Sequence, residues 1–375
     1  MTKAAELAKM GEVLTNSQLS GRRNIVINGG MQVAQRATQV TGLGASGGYQ
    51  TVDRWTISVG ATSAGRFTID QISDGPDGIA NSTKLTCTTA DTSIAAGELL
   101  QFQTKLEGQD LQQMNKGVAS AKEVTVSFYV KGNAAATYSV EMHDRDNTRF
   151  NSHEFSVTTD WVRIVRTFAA DADDGSSPYD DDNAVSMSLN FNLHGGSTYT
   201  GGSHTDNAWH ETVNQRLGDN ATSFFDATSR TFFITGVQME VGSTATPFEN
   251  RSFGEELNLC LRYFEKITAA DGSRGISGYV LGGGVWYAAN LLLASFHFNG
   301  VKRASPTMST DGSDSIKAYT GSGSAISSND GDGMFDLIEE KSARINFTPA
   351  SNGTAGHGTL IQIVDGESVT IDAEL

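Results

Sequence analysis

The chain has 375 residues with a formal net charge of −16, 38% hydrophobic and 19% charged residues, 41 glycines and only 5 prolines. That length accommodates two or three domains, each with a core of its own, and the unclustered Lys and Arg of an acidic chain exclude a nucleic-acid binder, which needs grouped cations to neutralise phosphates. No apolar run approaches the roughly 20 residues of a membrane span, and MTKAAELAKM lacks the apolar centre of a signal peptide, so neither membrane insertion nor the usual secretory route is expected.

In chain order, residues 4–16 (AAELAKMGEVLTN) form a short helix candidate with Leu7 and Leu14 on one side, too short to persist without something to pack on. A polar linker, SQLSGRR, completes an N-terminal segment, 1–23, expected to dock on a partner. Strands begin at NIVIN and MQVAQR, then TVDRWTISVG, GRFTIDQI, TKLTCTT, ELLQFQTKLEG, EVTVSFYVKG, TYSVEMHD, HEFSV, WVRIVRTFA, AVSMSLNFNL and RTFFITGVQMEV. Their alternation and polar turns predict a large antiparallel jelly-roll sandwich over 24–252. Gly236 interrupts the last of these strands and predicts an irregular step there. Trp55 and Trp161 fall within strong strands and read as core. Residues 195–229 form a long segment with no strand period, the kind of loop that is functional or packs on a partner.

Beyond residue 252 the apolar spacing turns helical, with Leu257, Cys260, Leu261, Phe264 and Ile267 at i, i+3, i+4, i+7 and i+10. This predicts a connecting helix over 253–269 whose stripe packs on the chain's own β-bodies or on a three-fold axis. Residues 270–375 alternate again and predict a second, smaller β-sandwich with its last strand reaching the C-terminus. The fold class is all-β, with the two short helices as accessories. Cys87 and Cys260 are the two cysteines; both fall on apolar faces and read as small buried hydrophobes rather than a disulfide or a reactive pair.

Chemistry is sparse. There is no nucleophile elbow, P-loop or dinucleotide fingerprint, so no catalytic residue and no cofactor is expected. Six aspartates within 171–182 read as a solvated, self-repelling loop, with calcium as the alternative. His204 and His210 flank Asp206 but lack the tighter spacing of a zinc site, and no metal is assigned. The aromatics are the better site candidates: Tyr199, Trp209 and His210 lie in the Gly/Ser/Thr-rich loop, and Trp286 and Tyr287 are adjacent on a strand, so one of them should face outward. Exposed rings of this kind stack on the CH faces of sugars.

Three stretches carry a family resemblance. AAELAKMGEVLTNSQLSGRRNIVINGGMQVAQR…DRW resembles the opening of a group of tailed-phage virion structural proteins; ITGVQMEVGSTATPFENRSFGEELNLCLRYFEK resembles the strand-and-helix joint of tail-fibre-like proteins; KRASPTMS and TIDAEL are similar to their small terminal domain. The body, especially LEGQDLQQ…KEVTVSFYVKG, is similar to jelly-roll carbohydrate-binding modules. The resemblance implies a non-enzymatic tail fibre or spike, a homotrimer assembled in the host cytoplasm, docked to other phage tail or capsid proteins by residues 1–23 and meeting a host-surface glycan or receptor through its β-domains. The absence of a repetitive shaft favours a short fibre. A capsid or tail decoration without receptor role and a polysaccharide depolymerase are the alternatives.

Overall fold

The computed structural model describes residues 3, 23–61, 63–172, 177–218, 220–269, 278–312, 315–319, 325–327 and 334–375. The helix expected over 4–16, with Leu7 and Leu14, lies outside the described residues, as do Asp173 and Asp174 of the acidic loop. The chain divides into two compact units, residues 1–256 together with Leu375, and residues 257–374.

The first unit carries β1 (Gln39–Leu43), β2 (Gly48–Tyr49), β3 (Trp55–Val59), β4 (Arg66–Ile72), β5 (Ser82–Thr89), β6 (Leu99–Glu107), β7 (Val124–Gly132), β8 (Ala136–Asp144), β9 (Arg149–Val157), β10 (Val162–Phe168), β11 (Val185–Gly195) and β12 (Thr231–Val241). They form two six-stranded sheets in the orders β1-β4-β5-β12-β7-β10 and β2-β3-β6-β11-β8-β9, paired antiparallel throughout, as the alternation predicts. Between them lies an aromatic core in which Trp55 stacks on Phe102 at 4.8 Å and Phe128 meets Phe191 edge-on at 4.9 Å. The irregular step at Gly236 is present: the register of β12 on β7 shifts between Thr235 and Gln238, and Gly236 has φ +60° with Ile79 where a Cβ would lie.

Two expectations fail here. NIVIN and MQVAQR form no strand, yet Val26 and Met31 are fully buried. Two isolated main-chain bonds to β12, Ile25 N to Met239 O and Val237 N to Gly29 O, are supplemented by asparagine side chains in place of a ladder. Asn24 Oδ1 accepts from Met239 N at 3.0 Å while its Nδ2 donates to Val237 O at 3.0 Å. Asn28, left-handed at φ +57°, accepts from Gln32 and Val33 N and donates to Val33 and Asp53 O. Asparagine tolerates that backbone and satisfies the buried amides locally. Trp161 is not core either: half-buried just before β10, it donates to Asp74 at 3.3 Å beneath the Lys131 ammonium.

The helix, α1 (Phe253–Leu261), is shorter than its apolar stripe. Ser252 and Glu255 close its N-terminus reciprocally, the Ser252 N–H donating to Glu255 and Glu255 N–H to Ser252 Oγ. Buried Glu256 accepts from Asn28 N and pairs with Arg251. Cys260 and Leu261 are buried and Leu257 half-buried. Phe264 and Ile267 belong instead to a strand, β13 (Phe264–Thr268), paired with the chain's last strand. Their i, i+3 spacing mimicked a helix, but FEKIT is rich in aromatic and β-branched residues, and strand pairing outweighs a marginal helical propensity. The five-residue stripe is therefore not a single helical face.

The second unit continues with β14 (Tyr279–Ala288), β15 (Leu291–His297), β16 (Thr307–Thr310), β17 (Ile316–Tyr319), β18 (Ala325–Ser327), β19 (Phe335–Asp336), β20 (Ser342–Phe347), β21 (Gly358–Ile363) and β22 (Ser368–Asp372). A three-stranded sheet, β13-β22-β16, and a seven-stranded one, β18-β17-β21-β14-β15-β20-β19, share one core of Ile267, Met308, Val369, Phe296, Ile345 and Ile361, among others. Lys302 and Glu265 form a fully buried ion pair at 2.7 Å within this unit.

Candidate functional site

The side of the first unit's second sheet that faces away from the core is polar along its whole width. Register places Tyr49 opposite Thr56, Thr56 opposite Gln103, Gln103 opposite Asn190, Asn190 opposite Glu141, and Glu141 opposite Ser152, one residue from each of six strands. The next row on the same face runs Ser58, Gln101, Asn192, Ser139 and Glu154. These are side-chain amides and hydroxyls bonded to one another: Gln101 to Asn192 at 2.6 Å, Asn192 to Ser139 at 3.1 Å, Asn190 to Glu141 at 2.7 Å. A sheet face turned simply to water usually carries charged residues instead.

The long segment 195–229 lies over part of this face and is fastened to it. Arg216 donates from Nε and Nη2 to both oxygens of Glu141, at 2.8 and 2.6 Å, with both residues buried. Its guanidinium also stacks over Phe150 at 4.4 Å and over Tyr199 at 5.6 Å. Burial alone would raise the Glu141 carboxyl; the Arg216 charge and its hydrogen bonds outweigh that and hold it below the ordinary carboxylate range. A second clasp joins Ser223 to His194 Nδ1 at 2.8 Å and His194 Nε2 to Glu98 at 3.0 Å.

Past the edge of that cover the face is half-open at Tyr49, Ser58, Lys105, His143 and Arg145. Leu375 belongs to this unit, and Tyr49 and Lys105 donate to its main-chain oxygen. Arg145 lies flat along the face, its Nε on Ser188 Oγ at 3.2 Å and its Nη2 on Gln103 Oε1 at 3.4 Å. Both partners are neutral, and no carboxylate stands within ion-pair distance of it among the described residues. Burial, and then the charge of Arg216, press its pKa below the ordinary value. A partly desolvated guanidinium with only neutral acceptors is a fork that still gains by meeting a ligand oxygen.

His143, on the same face beside Phe150 at 4.5 Å, has its pKa pushed down to about 4, chiefly by burial. The unfolded imidazole titrates near 6.5, so below that pH the unfolded chain takes a proton that the folded one refuses. Stability is therefore unaffected above about pH 6.5 and falls toward pH 4. His143→Gln is expected to remove about 2 kcal/mol of the loss between pH 8 and pH 5. Urea unfolding of both proteins at the two pH values measures this; equal losses would show that His143 is not the source.

The sequence candidates are scattered by the fold. Tyr199 and His210 come together around Arg216 and Phe150, the His210 main chain bridging to Phe150 at 2.9 Å. Burial pushes the His210 imidazole pKa down. Trp209 points the other way, packing on the first core and donating to Ala169 O at 2.8 Å, so it anchors the segment. Trp286 is 2% exposed and Gly353 packs directly on its ring, which leaves no face for a sugar; its neighbour Tyr287 is 71% exposed. His204 is engaged with Asp206 and Gln215 O, and among the described residues no three His, Cys, Asp or Glu side chains are grouped closely enough to hold a metal ion. The amide row was not anticipated from the sequence. Its signal was present in QFQ and NFN, where alternate polar positions are amides rather than Lys or Glu.

No protein-family model matches the chain, and the search of curated proteins matches none. Solved structures similar to it are jelly-roll carbohydrate-binding modules. One is a family 11 module from Clostridium thermocellum in complex with a β-1,3-1,4-mixed-linked tetrasaccharide, at 13% identity, covering 56% of this chain and 99% of that one with a TM-score of 0.28. Another is TmCBM61 in complex with β-1,4-galactotriose, at 9% identity, 59% and 99% coverage and a TM-score of 0.29. A family 30 module aligns at 10% identity over 59% of this chain and 92% of its own, with a TM-score of 0.26. Likeness at this level carries no argument about a ligand.

Proposed function

We propose that this chain is a non-enzymatic adhesin of a tailed-phage virion, a short fibre or spike that recognises host-surface glycan through the open part of the polar sheet face in its first unit. The observation that carries the glycan reading is Arg145, a half-buried guanidinium held by two neutral side chains beside Tyr49, Gln103 and His143. Amides, a forked cation and planar rings on one rigid surface are the groups that read hydroxyl patterns and sugar faces together. The virion placement rests on the sequence resemblance in residues 4–55 and 234–266, as does a homotrimeric assembly docked by residues 1–23.

The test uses the purified full-length protein on an array of bacterial-surface oligosaccharides, with light scattering for its mass. A trimer that retains at least one glycan is expected, and Arg145→Ala weakens that binding about tenfold or more, the worth of one charge-assisted hydrogen bond. Its melting temperature should stay within a few degrees, because Arg145 bonds only neutral partners. Failure to retain any glycan, or retention insensitive to Arg145→Ala, overturns the glycan reading. Release of reducing ends from the retained glycan would instead make the protein a depolymerase.

A further inference from the structure

The second unit has an open trough of about 400 Å³ on the outward face of its seven-stranded sheet, lined by Gly283, Gly284, Val285, Leu293, Ser295 and Arg344. Pairing registers explain its shape. Tyr319 stands opposite Leu360, Leu360 opposite Gly283, Ser295 opposite Arg344, and Arg344 opposite Asp336. Gly284 pairs with Ala294, which puts Gly283 beside Ser295 and completes one row across six strands. At the usual strand spacing the part of the row from Tyr319 to Arg344 is about 19 Å long, room for a linear chain of roughly three or four sugar rings.

The middle of that row, Gly283 and Ser295, is nearly without side chain, and that absence is what opens the floor. One wall is apolar and exposed to solvent, with Leu360 at 49% and Val285 at 44%, next to half-buried Leu293 and Tyr319. The other wall is a planar polar cluster. Arg344 donates from Nε and Nη2 to the two oxygens of Asp336 at 2.7 and 2.6 Å, and Asn346 donates to Asp336 at 3.1 Å. Among the described residues Arg344 Nη1 and Asn346 Oδ1 take no part in these bonds. The Arg344–Asp336 pair carries no net charge, which disfavours phosphate or carboxylate ligands and suits vicinal hydroxyls, for which it offers a donor and an acceptor side by side.

We propose that this trough binds a neutral, linear oligosaccharide, with the CH faces of the sugars on Val285, Leu293, Leu360 and Tyr319 and their hydroxyls on Arg344, Asp336, Asn346 and Ser295. The site shares no residue with the polar face of the first unit and stands whether or not that face binds glycan. It also differs from the Trp286–Tyr287 pair that the sequence singled out.

Gly283 supplies the test. A Cβ placed there meets only Thr359 O, at 3.9 Å, so Gly283→Leu fills the trough without disturbing the strand. The full-length protein carrying Arg145→Ala, which weakens any first-unit site so that the second unit's contribution stands out, is titrated calorimetrically with soluble neutral tri- and tetrasaccharides of glucose, galactose and N-acetylglucosamine. At least one is expected to bind, with affinity reduced about tenfold or more by added Gly283→Leu and again by Arg344→Ala in place of it. Absence of binding by every saccharide, or binding unchanged by Gly283→Leu, overturns the proposal. So does a change of mass in light scattering on Gly283→Leu, which would make the face a contact between copies of this chain.

Discussion

Replacing Arg216 with methionine is expected to destabilise the first unit by about 3–5 kcal/mol, the cost of leaving a buried carboxylate without its cation. For a domain of this size that lowers its thermal midpoint by roughly 6–20 °C. Among the described residues Glu141 would keep only the Asn190 amide as a hydrogen-bond partner, in a fully buried site. Packing over Phe150 and Tyr199 is retained in part by the methionine, so the loss reports the charge. In the wild type the depressed Glu141 carboxyl contributes stability that is fully present above its unfolded value near 4.3 and disappears as pH falls through the lower folded value. The single variant should itself relieve its strain in acid, where Glu141 can protonate. Pairing Arg216→Met with Glu141→Leu is expected to recover most of the loss, because a buried ion pair contributes little net stability over an apolar replacement. Calorimetry of the three variants decides it; a loss below about 1 kcal/mol for the single change would mean water reaches Glu141.

In the second unit Trp286→Ala is expected to cost about 3–5 kcal/mol and Tyr287→Ala less than about 0.5 kcal/mol, although the two residues are adjacent on β14. The indole fills the space over Gly353 and cannot be replaced by local collapse, since the backbone of 353 is already in contact with it. Calorimetry separates the variants, because the remaining tryptophans of Trp286→Ala, Trp55, Trp161 and Trp209, all lie in the first unit and only a heat signal registers the second. Similar losses from both substitutions would place Tyr287 in a contact that the isolated chain does not make.

The strands from β3 to β12 were legible because one face of each is packed and the other polar, and period two survives wherever that holds. Apolar residues on opposite faces hide the pattern. Phe264 and Ile267, three apart, are both buried but on opposite faces of β13, with Glu265 and Lys266 between them, so the segment carries no period of two and its spacing reads as helix. The stretch from Asn24 to Val33 misleads for another reason: its apolar residues are buried, but its backbone is satisfied by asparagine side chains and two isolated bonds to β12 rather than by a continuous ladder. The candidate site was least legible. Asn and Gln at alternating positions look like ordinary solvent-facing residues until register shows them to be one continuous row, and Arg216 comes from a segment with no period. The trough in the second unit depends on a glycine meeting a serine across two strands, which no single strand reveals.

The asparagine hub near the N-terminus has a consequence for how the chain is made. Asn24 is bonded to Val237 and Met239, and Asn28 to Glu256, more than 200 positions away in each case. Contacts of such sequence separation form late and slow folding, because the loop between their ends must close first. Emerging from a ribosome at roughly 5–20 residues per second, the segment waits on the order of 10–50 s before its partners exist. During that interval Ile25, Val26 and Ile27 stand without the strand that covers them, and a truncation before residue 237 leaves them so permanently. The nascent N-terminal stretch is therefore expected to stay exposed until the last strand of the sandwich arrives.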